Sequence, residues 1–99
     1  MRRGTTPTHT FTLPITVENC SQIRIIYSQR GKVLLKKNKE DMELDGYTVK
    51  TKLTQAETMK FDDKELVEIQ VRAITWDDDS LVSDVFTRRV GRLLDDEVL

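Results

Sequence analysis

The sequence predicts an all-β protein, a small antiparallel β-sandwich of the immunoglobulin-like kind with about six or seven strands. Apolar and polar residues alternate, most clearly from Glu65 to Thr75. Similar short segments recur at fairly regular spacing, and turn-forming residues separate them. Alternation with period two indicates strands that have one face on a core and the other in water, as antiparallel sheets do. The same spacing also fits a barrel.

The clearest unit runs from Tyr47 to Thr75. Tyr47 to Leu53 alternates, which predicts that Tyr47, Val49, Thr51 and Leu53 share one face. Residues 54–57 then have the form of a helix-capping box and predict one short helical turn near residues 55–60. The next strand should bury Val67, Ile69, Val71 and Ala73. The turn between the strands fits either a corner that changes sheets or a plain β-α-β connection.

The other strands are predicted from the same alternation. They are expected at Thr8–Val17, Gln22–Gln29, Lys32–Lys37 and Leu81–Arg89, with a short extra strand around Met42–Leu44. Pro14 lacks an N–H group, so the first strand should lie at a sheet edge or carry a bulge. Arg30-Gly31 fits a tight hairpin in which Gly31 supplies positive φ. In the third strand Val33 and Leu35 should share a face, and in the last strand Val82 and Phe86 should do so.

The length of the chain indicates one domain, and its charge balance gives no support for two classes of partner, nucleic acid and membranes. The chain has 99 residues, 16 basic and 17 acidic, for a net charge of −1. We expect a domain over 8–91, a flexible N-terminal arm over 1–7 and a C-terminal tail over 92–99. A nearly neutral chain gives no reason to expect nucleic acid or a membrane as partner. The N-terminus lacks the apolar run of a signal peptide, and the single cysteine, Cys20, excludes a disulfide within the chain.

No set of residues in the sequence indicates catalysis, a metal or a cofactor. His9, the only histidine, should be a solvent-facing strand residue, and Cys20 a small buried one. Asp77–Asp79 lacks the glycine and the distal glutamate of a calcium loop and is predicted to be a solvated turn. The basic run Lys36–Lys39 is too narrow for nucleic-acid binding. We therefore predict no catalytic residue, no metal site, no cofactor and no enzymatic activity.

Three residues are candidate contacts for a protein partner. Phe11 and Pro14 lie on the predicted edge strand, to which a neighbouring chain can add a strand. Trp76 lies beside a turn, and an exposed tryptophan there would serve as an anchor for a partner. Burial of Trp76 at one end of the sandwich is the expectation that we favour.

Three segments resemble short proteins encoded in prophages and related mobile elements of Gram-positive bacteria, and the resemblance spans nearly the whole chain. These segments are Arg2–Phe11, Lys52–Thr58 and Val67–Arg72. The family has no assigned activity and no catalytic motif, so the resemblance implies only a context. Small phage β-domains are often virion or tail-assembly components. The resemblance thus implies a protein that stays in the cytoplasm of the bacterial host or is part of the virion.

The sequence favours a non-enzymatic structural or interaction module that contacts a protein partner or itself through β-edges and terminal arms. The absence of a catalytic set and the edge-like first strand support this hypothesis. The alternative is a small ligand-binding module for carbohydrate or calcium that uses Trp76 and the acidic turn after it.

Overall fold

The protein forms two antiparallel sheets that pack face to face, in a computed structural model that describes residues 1–95 and 97–99. The predicted all-β sandwich is therefore confirmed. Its strands are β1 (Thr8–Thr12), β2 (Cys20–Gln29), β3 (Lys32–Asn38), β4 (Glu43–Asp45), β5 (Thr48–Lys52), β6 (Val67–Thr75), β7 (Ser80–Val82) and β8 (Phe86–Arg88). Helical structure in the described residues comprises α1 (Gln55–Thr58) and 3-10 turns at Val17–Asn19 and Lys39–Asp41.

The strand order is that of an immunoglobulin-type sandwich. One sheet has the order β1-β5-β4, and the other has β3-β2-β6, with β7 and β8 both paired to the remaining side of β6. Immunoglobulin sandwiches place strands B, E and D opposite C, F and G, and variable-type domains extend the second sheet beyond C. The chain follows this plan because it changes sheets after β1, after β3 and after β5, and it forms hairpins at β2–β3, β4–β5 and β6–β7.

The core lies between the sheets and is built from the alternating positions that the sequence identified. The predicted core face of β6 is buried: Val67, Ile69, Val71 and Ala73. On the neighbouring strand β2, Ile23, Ile25 and Tyr27 lie beside these residues on the same face of the sheet. Val49 and Thr51 of β5 and Leu53, the residue after it, are all buried on the face that alternation predicted they share. Tyr47 is exposed, however, because it belongs to the turn that begins at Gly46 rather than to the strand.

The short helix α1 is the corner between the two sheets. Thr54 Oγ1 accepts a hydrogen bond from Glu57 N–H at 3.1 Å, and Glu57 Oε1 accepts one from Thr54 N–H at 2.9 Å, so the predicted capping box is present. Because β5 and β6 belong to different sheets, the corner interpretation is correct and the β-α-β connection is wrong.

The β2–β3 hairpin turns at Arg30-Gly31, where both residues have positive φ, 53° and 74°. This is the left-handed pair that a two-residue turn between twisted strands requires. The pairing then shifts by one residue, because Tyr27 is opposite Leu35 but Ser28 is opposite Val33. The shift explains why Leu35 is buried while Val33 is exposed, contrary to the face that alternation predicted for Val33.

The first and last strands are shorter than predicted. β1 ends at Thr12, two residues before Pro14, and β1 is an edge strand as the proline indicated. The predicted strand Leu81–Arg89 is divided into β7 and β8, and the intervening Ser83 bonds to the middle of β6. Val82 pairs with Arg72 and Phe86 with Ile69, so they lie on opposite faces of the sheet and not on one face as expected.

Hydrogen bonds join the N-terminal residues to the body of the domain. Gly4 N–H donates to Thr58 Oγ1 at 3.0 Å, and Arg3 N–H donates to Gly91 O at 3.2 Å. Arg2 also bridges to Gly91 in the parallel direction. Within the expected flexible arm over 1–7, residues 2–5 are therefore bonded to the helix and to the chain after β8. The domain limits at 8 and 91 stay a prediction, and residue 96 of the predicted tail lies outside the described residues.

Candidate functional site

The free edge of β1 presents unpaired backbone groups. Leu13 N–H donates to Tyr47 O at 2.7 Å, and Leu53 N–H donates to Pro7 O at 2.9 Å. In an antiparallel pair such bonds recur at every second residue, so the odd-numbered residues of β1 bond to β5. The N–H and C=O groups of Thr8, Thr10 and Thr12 consequently point away from β5, toward the free edge. All three threonines are exposed.

The facing edge, on the other sheet, is interrupted. Ser83, between β7 and β8, occupies the gap opposite the middle of β6: its N–H donates to Val71 O and its Oγ accepts from Val71 N–H, both at 2.9 Å. Gln70 Nε2 also donates to Ser83 O at 3.1 Å. Irregular edges of this kind resist the addition of a further strand. The uninterrupted edge of β1 is thus the more open of the two.

A groove of about 450 Å³ lies between these two edges. Most of its exposed surface is apolar, and the β1 side and the β7–β8 side both contribute to it. The rings of Phe11 and Phe86 meet across it, with centroids 5.8 Å apart. Its lining includes Phe11, Pro14, Val71, Leu81, Phe86 and Arg88.

The Arg88 end of the groove is positively charged. Arg88 contributes to the lining, and the Met1 ammonium group donates to the carbonyl of the next residue, Arg89, at 3.0 Å. Burial lowers the pKa of His9, and the positive charges of the Met1 ammonium group and Arg88 lower it further. His9 therefore remains neutral over more of the acidic range than an exposed histidine does, and it adds no charge to this end at neutral pH.

Two of the three predicted contact residues lie in this groove. Phe11 and Pro14 both line it. The sequence did not identify Phe86, Leu81 and Arg88 as groove residues. Their place in the groove depends on how β7 and β8, the two parts of the predicted last strand, pair with β6. The available signal was the mixed apolar pattern from Leu81 to Phe86, which is unusual for a strand with one solvent-facing side.

Trp76 lies elsewhere, and the favoured expectation that it is buried is wrong. Its side chain is 69 % exposed. The indole is nevertheless fixed in position, because Nε1–H donates to Glu18 O at 2.9 Å and Lys39 Nζ lies 5.7 Å from the ring centroid. Trp76 is thus an exposed aromatic group with a defined orientation at the end of β6, beside the 3-10 turn of residues 17–19.

His9 and Cys20, which the sequence also singled out, are both removed from solvent in part or in full. His9 is half-buried and hydrogen-bonded to Tyr27, so the expectation that it faces solvent is wrong. Cys20 is buried, as predicted, and burial raises the pKa of its thiol. Within residues 1–95 and 97–99, no three His, Cys, Asp or Glu side chains are grouped so that they could hold a metal ion.

No protein-family model, curated protein or solved structure matches the chain. Among the described helices, none has the length and apolar character that crossing a membrane requires.

Proposed function

We propose that the chain is a non-enzymatic interaction module that binds an extended segment of a partner protein by strand addition at β1. The observation that carries this proposal is the free backbone edge of Thr8, Thr10 and Thr12 directly beside an apolar groove. Strand addition uses main-chain hydrogen bonds for affinity and pockets for alternate side chains for specificity. In this protein the free backbone edge of β1 and the apolar groove lie next to each other.

The groove defines the chemistry of the segment. An added strand directs every second side chain toward the groove, so these positions should be apolar and should contact Phe11, Leu81 and Phe86. At the Arg88 end, the positive charge favours an acidic side chain on the partner. The expected segment therefore alternates apolar and polar residues and carries Asp or Glu at one end.

The context of this proposal is phage assembly. The resemblance of three segments to prophage-encoded proteins supports a virion or tail-assembly component, in the cytoplasm of a bacterial host or in the particle itself. Assembly proteins of this kind need selective contacts rather than catalysis. The free edge of β1 and the apolar groove beside it would provide such contacts.

The test is a selection of binders from a random decapeptide display library. We expect the selected peptides to alternate apolar and polar residues and to shift the NMR amide signals of Thr8, Thr10 and Thr12. Phe86→Glu, which places a charge in the groove, should weaken binding at least tenfold. Thr87→Lys is the matched control, because it places a charge on the opposite face of β8, where its partner in register is Glu68.

Backbone methylation of a selected peptide provides the second control. N-methyl groups on the residues that bond to β1 should abolish binding, whereas N-methyl groups on the intervening residues should have little effect. Equal tolerance of both peptides, or peptides without alternation that ignore Phe86→Glu, would contradict strand addition at β1.

One observation favours a second candidate, a carbohydrate-binding module. Trp76 offers an exposed, oriented indole next to the carboxylates of Asp77–Asp79, and aromatic rings beside polar groups can bind sugars. A glycan array probed with the wild type and with Trp76→Ala tests it. Binding that Trp76→Ala does not reduce would reject this candidate.

A further inference from the structure

Two arginines are opposite each other on the outer face of the five-stranded sheet. Arg24 of β2 pairs in register with Arg72 of β6, so their side chains leave the same face of adjacent strands. Like charges in directly opposed positions destabilise a sheet. Arg24 Nε donates to Asn38 Oδ1 at 3.1 Å. Neither arginine makes an ion pair with a carboxylate in the described part of the chain.

The surroundings of the arginine pair supply further hydrogen-bonding groups and fewer carboxylates than cations. Gln22, Ile74 and Ser80 border the pair around a shallow depression of about 100 Å³. The registers also place Lys36 on this face, and Glu68 is the acidic residue that they place there. Glu40 also borders Arg24, in a neighbouring depression. Arg24, Arg72 and Lys36 against Glu68 and Glu40 leave the face with a small excess of positive charge, although the chain as a whole has a net charge of −1.

The complementary negative charge lies in the turn of the β6–β7 hairpin, the hairpin that also carries Arg72. Asp77, Asp78 and Asp79 are all exposed in the turn between β6 and β7. This turn has a fixed shape, because Thr75 N–H donates to Asp79 O at 2.9 Å and Asp79 N–H donates to Thr75 Oγ1 at 3.0 Å. Arg72 and the turn are separated by about five residues, or roughly 15 Å along a strand. The acidic turn therefore does not neutralise the arginine pair of its own chain.

We propose that the outer face of this sheet binds a second copy of the chain, with the Arg24–Arg72 pair of each copy facing the acidic turn of the other. Ile74 lies between Arg72 and the acidic turn on the β6–β7 hairpin. A two-fold axis near Ile74 would place the arginine pair of each copy against the acidic turn of the other. In such an isologous interface one surface patch is complementary to itself. Guanidinium groups bind carboxylates in paired hydrogen bonds, which favours arginine in this role.

The same geometry predicts a weak and salt-sensitive dimer. Arg72 and the acidic turn are exposed and Arg24 is half-buried. Dissolved ions screen exposed charges over about 10 Å at 0.1 M salt and over about 3 Å at 1 M. We expect the dissociation constant to rise at least tenfold between 0.02 M and 0.5 M sodium chloride. This surface is separate from the β1 groove, so the dimer stands or falls independently of strand addition there.

The test uses sedimentation velocity on the full chain and on two charge-reversed variants, Arg24→Glu/Arg72→Glu and Asp77→Lys/Asp79→Lys. Each variant alone should be monomeric at 0.02 M salt. An equimolar mixture of the two should dimerise again, because one copy's introduced glutamates meet the other's lysines while the native contact is kept on the other side. Lys50→Glu/Lys52→Glu, on the outer face of the other sheet, is the matched control and should dimerise as the wild type does.

Three results would overturn the proposal: a monomeric wild type at 0.02 M salt and high concentration, a dimer that survives both charge reversals, or a mixture that stays monomeric although each variant is folded by circular dichroism. If a reversed variant fails to fold, the neutral pair Arg24→Gln/Arg72→Gln replaces it and should weaken the dimer at least fivefold. A dimer that Phe86→Glu disrupts and Arg24→Gln/Arg72→Gln does not would also overturn it, since the contact would then involve the groove.

Discussion

His9 Nδ1 lies 2.7 Å from the hydroxyl oxygen of Tyr27, so a side chain of β1 and one of β2 join the two sheets through a hydrogen bond. The two rings are also close, with centroids 5.6 Å apart. The bond occurs in a largely buried place, where Tyr27 is fully buried and its pKa is raised, chiefly by burial and further by the charge of Glu57. It fixes edge strand β1 against the opposite sheet.

The first prediction concerns the pH dependence of stability. The pKa of His9 in the folded state is below its ordinary value of 6.5, because burial disfavours the charged ring. The unfolded chain therefore binds the proton first as the pH falls through about 6.5, and the free energy of unfolding decreases below that pH. Urea denaturation at pH 7.5 and 5.5 measures the decrease.

His9→Gln is the control for that measurement, because it removes the only histidine, and most carboxylates titrate at lower pH. The variant should show a much smaller change in stability between the two pH values. A wild type that becomes more stable at pH 5.5 would contradict the assignment.

The second prediction concerns Thr51, a buried threonine on the core face of β5. Its side-chain hydroxyl is buried and has no hydrogen-bond partner in the described residues. A buried unpaired hydroxyl destabilises a fold, so Thr51→Val should raise the free energy of unfolding by about 1 kcal/mol. Chemical denaturation measures the difference.

Thr58→Val is the matched control, because Thr58 is equally buried but its hydroxyl accepts from Gly4 N–H and lies 3.0 Å from Thr5 O. This variant should lower the free energy of unfolding by about 1–2 kcal/mol. A loss of stability on Thr51→Val would contradict the prediction and show that the hydroxyl of Thr51 has a partner.

The third prediction concerns the ion pair that joins β3 to α1. Lys37 Nζ lies 2.7 Å from Glu57 Oε2, and the two side chains are only 12 % and 18 % exposed. Burial alone would raise the pKa of Glu57, but hydrogen bonds from Lys37 and Thr54 and the charge of Lys37 bring it below its ordinary value. Glu57→Gln should therefore cost about 2 kcal/mol of unfolding free energy.

Thr54→Ala tests the other half of the capping box, because it removes the bond that Thr54 Oγ1 accepts from Glu57 N–H and leaves the Lys37 ion pair in place; it should cost about 1 kcal/mol. A double-mutant cycle with Lys37→Gln should give a coupling free energy between Lys37 and Glu57 of about 1 kcal/mol or more. A coupling near zero would reject the ion pair as a source of stability.

The fourth prediction concerns Gln29, which connects the end of β2 to the loop before β6. Its amide is buried: Nε2 donates to Asp62 O at 2.8 Å and to Glu65 O at 3.1 Å, and Oε1 accepts from Asp62 N–H at 2.8 Å. Gln29→Glu replaces the donor with an oxygen that faces two carbonyl groups. We expect a loss of about 3 kcal/mol at pH 7, measured by thermal and urea unfolding.

Gln70→Glu is the comparison, because the half-buried Gln70 amide makes one hydrogen bond, to Ser83 O. Its loss should be smaller, about 1 kcal/mol. Equal losses for the two variants would mean that the bonds of Gln29 contribute nothing beyond those of an ordinary surface amide.

The candidate site was only partly accessible from the sequence. Pro14 lacks an N–H group and so indicated an edge strand, and the alternating pattern placed Phe11 on the same strand. The β1 side of the groove could therefore be predicted from the sequence. The other side could not, because Phe86 enters the groove only when β8 pairs with β6 after the interruption at Ser83. That pairing depends on hydrogen bonds between segments far apart along the chain.

By itself the sequence determined where most of the strands lie, the buried face of β6 from Val67 to Ala73 and the capping box at Thr54–Glu57. These depend on period-two alternation and on hydrogen bonds between residues three apart, which local chain geometry dictates. Only the tertiary structure decided that Trp76 is exposed, that His9 meets Tyr27 and that Arg24 is opposite Arg72. Those outcomes depend on which distant strands become neighbours and in which register, and a shift of one residue would reverse each of these faces.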